Sequence, residues 1–550
     1  MPTLTDRRPL LLELDLTEAP VESEPGDVVA KLRTRNRPRL RAVLRALHEA
    51  GDDRRVRGLV VKIGGGTLPW ATMQELRAGL RAFAATGKPV VGWAESLGEG
   101  GNGTADCVLA SGCTQMWLQP TGEVALLGVA AETTFLRGAL DKLGVEPQLD
   151  KRYEYKSAAD RIMNTEFTEA HREALDRVVE STWDGAVDAI AAGRDLSPER
   201  VQELSTVAPM GAEQARDAGL VDRLGYRDEV YADVRERAGG DDVRLLFADR
   251  WTPRRKPAAM LRRHRDVVAL VEGHGQIVVG RSRPTPGGGA RMGSATVSAA
   301  LRAARTDEHV RAVVFRVDSP GGSGVASDTI WREVSLLREA GKPVVVSMGS
   351  LAGSGGYFVA CPADVIVAQP ATITGSIGVL GGKVVVAQLL ERLGLTTGTV
   401  MHGGSAQMFS LREGFSDDER ARLGAMLDRV YDDFVAKVAQ GRGMSVEAVD
   451  AVARGRIWSG ADAARNGLVD ELGGLRAATA LARSRAGLKP DAPLRPALHV
   501  APLDRLRRPI SSEDPRAASV TSGWGDLRGL AQALGLSPAG PLAMPEFRLR

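Results

Sequence analysis

The 550-residue chain is expected to fold as an α/β protein built from two tandem copies of one unit of β-α-β elements. Three observations lead there: an internal repeat, strands alternating with helices, and strands that are apolar along their whole length. Gly87-Lys88-Pro89-Val90-Val91 returns 254 residues later as Gly341-Lys342-Pro343-Val344-Val345, and Val56-Arg57-Gly58-Leu59-Val60-Val61 resembles Val310-Arg311-Ala312-Val313-Val314-Phe315 at the same offset. Gln119-Pro120 matches Gln369-Pro370 at 250, and Gly219-Leu220-Val221-Asp222 matches Gly467-Leu468-Val469-Asp470 at 248. Ordered matches whose offset drifts by a few residues fit a duplicated unit with small loop insertions.

Each copy repeats the same order of elements. Asn36 to Ala50 carries Leu40, Val43, Leu44 and Leu47 on one helical face. Gly58 to Ile63 reads as a buried strand, Met73 to Ala85 as a helix and Pro89 to Val91 as a second strand. In the second copy Val310 to Val317 is a strand, Thr329 to Ala340 a helix and Pro343 to Met348 a strand. Late helices are expected at Glu169 to Ala192 and Asp417 to Gln440. Such alternation implies parallel strands covered by helices, and unbroken apolar strands imply burial on both faces. The boundaries expected are an N-terminal repeat at 1–238, a linker at 239–264, a C-terminal repeat at 265–484 and a Pro- and Arg-rich tail at 485–550. The sequence leaves open whether that tail docks on the body.

Composition narrows the function. The 72 basic and 69 acidic residues nearly cancel, and aromatics are only 4%, which argues against a nucleic-acid partner. Cys107, Cys113 and Cys361 are too few for a disulfide framework and lack the spacing of a zinc site, so no metal or other cofactor is expected. The N-terminal apolar run is interrupted by Glu13 and Asp15, and no stretch approaches the roughly 20 apolar residues of a membrane span. A cytoplasmic protein is expected, with peripheral membrane association left open.

The two copies differ in their loops. The second has Asp318-Ser319-Pro320-Gly321-Gly322-Ser323-Gly324 after its first strand and Gly353-Ser354-Gly355-Gly356-Tyr357 after the next; the first has Ile63-Gly64-Gly65-Gly66-Thr67 and Gly98-Glu99-Gly100-Gly101-Asn102. A serine between glycines at a strand-to-helix turn suits an exposed nucleophile, and neighbouring backbone N–H groups suit an oxyanion. Tight turns or a phosphate cradle would use similar loops. A serine nucleophile needs a base, yet none of the seven histidines lies in a Gly-rich loop. Tyr155-Lys156-Ser157-Ala158 in the first copy offers a lysine where the second has Gly404; spacing alone also allows a solvated lysine.

Taken together, these loops, Thr374-Gly375-Ser376-Ile377-Gly378 and the Lys156 segment resemble the long form of the signal peptide peptidase A, or protease IV, family. The resemblance spans about residues 10 to 480. It implies a crotonase/Clp-protease-like fold and a serine endopeptidase working through an acyl-enzyme. Ser354 would be the nucleophile and Lys156 the base, supplied across the two copies. Gly321, Gly322 and Gly355 would form the oxyanion and substrate-binding region, and Ser376 would orient the lysine. It further implies peptide substrates, signal peptides or unfolded chains, and homotetramers. Long-form relatives commonly carry an N-terminal membrane anchor, which is not expected from the apolar pattern here, and often have alanine where this chain has Gly353. A crotonase-like acyl-CoA hydrolase and a non-catalytic assembly protein are the alternatives.

Overall fold

The structure, a computed structural model, describes residues 8–22, 34–35, 37–65, 68–240, 242–253, 266–282, 290–497, 542–544 and 548–549. It divides into two compact units. The first comprises 1–130 and 180–263 with residue 550; the second comprises 131–179 and 264–549.

The first unit holds a six-stranded sheet in the order Arg244–Phe247, Leu10–Asp15, Val56–Lys62, Val90–Ala94, Gln115–Leu118 and Arg223–Leu224, with every pairing parallel. Its helix Leu40–Glu49 buries the expected face of Leu40, Val43, Leu44 and Leu47. That helix begins four residues later than the periodicity suggests. Pro38 disfavours helical backbone at the residue before it, and Arg39 is extended. The helix Trp70–Ala84 starts three residues early, directly after Pro69, which serves as its N-cap.

The second unit centres on Ile457–Ser459, Ile373–Gly375, Val344–Gly353, Val310–Ser319, Val267–His274 and Leu494–Pro496. The pairing of Ile373–Gly375 with Ile457–Ser459 is antiparallel and the other pairings along this path are parallel. The ten-residue strand Val344–Gly353 serves two neighbours: Val345 to Ser347 pair with Val365–Ala368, and Leu351 to Gly353 pair with Ile373–Gly375. This second pairing extends the strand past Met348, where the sequence suggested it would stop. Backbone pairing overrides the weak strand propensity of Gly349 to Gly353. The helix Gly324–Glu339 begins five residues before the expected start, because the Ser323 side chain caps it by accepting from the Ala326 N–H. Buried on the sheet are Val313, Phe315, Val346 and Met348, packed with Ile330, Leu337, Phe434 and Val438 of the covering helices.

Two expected boundaries shift. Residues 131–179, placed by sequence in the N-terminal repeat, pack with the second unit, because the strand Glu146–Lys151 pairs antiparallel with Leu380–Val385 over six residue pairs. The stretch read as a linker supplies Arg244–Phe247, the edge strand of the first unit's sheet; residues 254–265 lie outside the described residues. In the tail, Leu494–Pro496, Leu542–Ala543 and Arg548–Leu549 are strands, and 498–541 lie outside the described residues. All three cysteines are buried and free, and burial raises the Cys113 and Cys361 thiols to about 12.

Among the described residues no helix is long and apolar enough to cross a membrane.

Candidate active site

Ser354 sits at the turn between the strand Val344–Gly353 and the six-residue helix Gly355–Ala360. Its backbone has φ 55° and ψ −115°, a conformation that costs a side-chain-bearing residue about 1–3 kcal/mol. Two bonds hold it there. The Ser354 N–H donates to the Gly375 carbonyl at 2.8 Å, and the Phe358 N–H donates to the Ser354 carbonyl at 2.9 Å. The strand beneath is steadied by Asp318, whose carboxylate accepts from the Leu351 N–H at 2.9 Å.

Lys156 follows the strand Glu146–Lys151 and caps the short 3-10 turn Ser157–Ala159. Its Nζ lies 2.8 Å from Ser354 Oγ, 2.9 Å from the Ser376 carbonyl oxygen and 3.0 Å from Ser376 Oγ. Lys156, Ser354 and Ser376 are all fully buried. Burial alone drives the Lys156 amine well below the ordinary lysine range, since none of these three partners is a carboxylate. Ser376 is itself held in left-handed backbone at φ 51°, its N–H donating to the Arg456 carbonyl at 2.7 Å.

The lysine loop is tied down on both sides. Glu154 pairs with Arg454 at 3.0 Å, and Tyr155 Oη donates to Glu173 at 2.8 Å. On the inner side Lys151 reaches the buried Asp160 at 2.9 Å. Desolvation pushes the Asp160 carboxyl up, but the neighbouring His171 and Lys151 outweigh it and hold the group below its usual range.

The structure brings Gly321, Gly322 and Gly355 together. A Cβ on Gly355 would lie 3.1 Å from Gly321 Cα, 3.2 Å from the Gly322 nitrogen and 2.7 Å from Ser327 Oγ. The Gly321–Gly322 strand, with φ of 93° and 153°, therefore lies against the turn that carries Ser354. All six residues singled out from the sequence thus lie in one unit, Lys156 included.

Sequence reasoning missed Gly455. It has φ 87°, and a Cβ there would approach Lys156 N, Cα and Cβ to 2.4–2.6 Å. Nothing near Gly455 in the chain marks it, because its constraint comes from a segment some 300 residues away. Among the described residues no histidine bonds to this cluster; buried His171 packs edge-on against Phe167.

The sequence profile described as Peptidase family S49 matches residues 82–240 and 337–489. The chain is 31% identical over 444 residues to the "Serine protease SPPA, chloroplastic" of Arabidopsis thaliana, covering 80% of this chain and 64% of that protein. It is 33% identical over 461 residues to the "Protease 4" of Salmonella typhi, covering 81% and 72%. With the "Protease 4" of Haemophilus influenzae it shares 30% identity over 497 residues, covering 86% and 78%. One matched stretch carries Lys156 and the other Ser354 and Ser376, so the profile takes in both sides of the buried cluster, and the chain belongs to Peptidase family S49.

Proposed function

We propose that the chain is a serine endopeptidase with a Ser354–Lys156 dyad. The carrying observation is the fully buried Lys156 amine 2.8 Å from the Ser354 hydroxyl, without a carboxylate among its three bonded partners. A neutral amine has two N–H donors and one lone pair. In this reading the N–H groups go to the Ser376 carbonyl and Oγ, which aims the lone pair at the Ser354 proton. Lys156 takes that proton as Ser354 Oγ attacks the scissile carbonyl. Backbone N–H groups of the Gly321–Gly322 and Gly355 region receive the oxyanion. The lysine then protonates the departing amine, and water, deprotonated by the same lysine, releases the acyl group.

The duplicated, Clp-like architecture is part of the same proposal. Strands begin at 56, 90, 115 and 223 in one unit and at 310, 344, 365 and 471 in the other, which supports two copies of one plan. Unfolded or short apolar peptides, cleaved signal peptides among them, are the proposed substrates.

The test is hydrolysis of an unfolded protein, with fluorophosphonate labelling as a second readout. Replacing Ser354 or Lys156 with Ala is expected to lower turnover at least ~10³-fold, as loss of a nucleophile or its base does elsewhere. Labelling should be lost in Ser354→Ala. Thioester hydrolysis that survives loss of Ser354 would instead favour an acyl-CoA enzyme, and absence of any Ser354-dependent hydrolysis would favour an assembly protein.

A further inference from the structure

Gly321–Gly322 is a strand with two neighbours. On one side it meets Ile277, and on the other Leu542–Ala543 lies antiparallel, with Ala543 opposite Gly321 and Leu542 opposite Gly322. The pairing runs one residue further, where the Met544 N–H donates to the Pro320 carbonyl at 3.0 Å. Met544 is buried, in an apolar cluster with Leu175, Val178 and Ile457, against which Leu351 and Ile373 also pack. It stands over Gly353, the residue before Ser354: a Cβ at Gly353 would come 2.1 Å from Met544 Sδ.

A peptide presented to Ser354 needs what this segment uses. An extended substrate binds by adding a strand to a free edge, its backbone paired and a side chain seated in a pocket. The edge beside the nucleophile is Gly321–Gly322, two residues without side chains that let another backbone approach closely. The apolar pocket beside the nucleophile is the one that holds Met544. An arriving peptide and the chain's own C-terminal segment cannot both occupy them.

We propose that Leu542 to Met544 is a built-in competitor, docked as a substrate-like strand in the peptide-binding cleft and lowering the enzyme's affinity for peptides until displaced. This rests on the peptidase reading of the same site. Because the competitor is tethered, it acts at a fixed effective concentration and raises the apparent KM rather than lowering kcat.

The experiment places a charge in the pocket. In the full chain, Met544→Glu is expected to raise kcat/KM for a short apolar fluorogenic peptide about tenfold, mostly through KM, as removal of a tethered competitor does. An unchanged kcat/KM overturns the proposal. A second arm needs no catalysis: a fluorescein-labelled Pro-Leu-Ala-Met amide is titrated by anisotropy against Ser354→Ala and against Ser354→Ala with Met544→Glu. About tenfold tighter binding to the double variant supports the competitor; equal affinity overturns it. If Met544→Glu does not fold, a chain ending at Gly540 takes its place in both arms. Failure of the peptidase reading shows as turnover that is absent or indifferent to Ser354, while the binding arm still decides whether the segment competes.

Discussion

Lys156 carries a cost that its chemistry explains. A buried lysine whose three bonded partners are all uncharged oxygens has no opposite charge to offset its lost hydration, and its amine is pushed well below the ordinary range. Its neutral form is the active one in the proposed mechanism, so kcat/KM should fall as pH drops through the lowered pKa and hold above it. A pH profile whose acid limb has its midpoint below the ordinary lysine value of about 10.4, and which vanishes in Lys156→Ala, is the expected record. Stability carries the same sign. The penalty of a charged, buried Lys156 is full below the lowered pKa and is gone above the unfolded value. Ser354 carries a different cost, in its backbone. Glycine accepts φ 55° and ψ −115° and alanine does not, so Ser354→Gly should be more stable than Ser354→Ala by about 1 kcal/mol, read by urea unfolding. Equal stabilities would mean that the turn relaxes without the serine.

The elements show where sequence reading succeeds and where it stops. The helix Leu40–Glu49 was legible because its periodic apolar residues sit within one stretch, and the late helices Glu169–Arg194 and Asp417–Arg442 begin where the sequence placed them. The turn that carries Ser354 was legible because glycines flank the serine. The far half of Val344–Gly353 was not, since what makes Gly349 to Gly353 a strand is pairing with Ile373–Gly375 and Ser319. The docking of residues 131–179 was hidden for the same reason: strand pairing with Leu380–Val385 joins segments more than 200 residues apart. Gly455 offers a test of that docking. Alanine there would press on the Lys156 backbone from 2.4–2.6 Å and force φ 87° on a side-chain-bearing residue. Gly455→Ala should cost 1–3 kcal/mol, about the price of a strained backbone position, and lower kcat by at least tenfold with KM little changed. A variant that loses stability but keeps kcat would show that the lysine is positioned independently of Gly455.

At the scale of the whole molecule, two units share strand order while their loops differ. The strand Val90–Ala94 ends after five residues, whereas Val344–Gly353 runs for ten and delivers Ser354. One unit therefore carries the proposed chemistry, and the other is free of its constraints. The tetramer implied by family resemblance is a separate expectation. Light scattering should return about four times the 58.4 kDa chain mass, and a monomer at micromolar concentration would refute it. The buried cysteines have a practical consequence. Thiolates, not thiols, react with maleimides, and Cys107, Cys113 and Cys361 are enclosed with their ionisation suppressed. The native chain thus offers a chemically silent background. A single cysteine introduced on the surface becomes a selective attachment point for a spectroscopic label, and the movement of the C-terminal strand can be followed without first removing any natural residue.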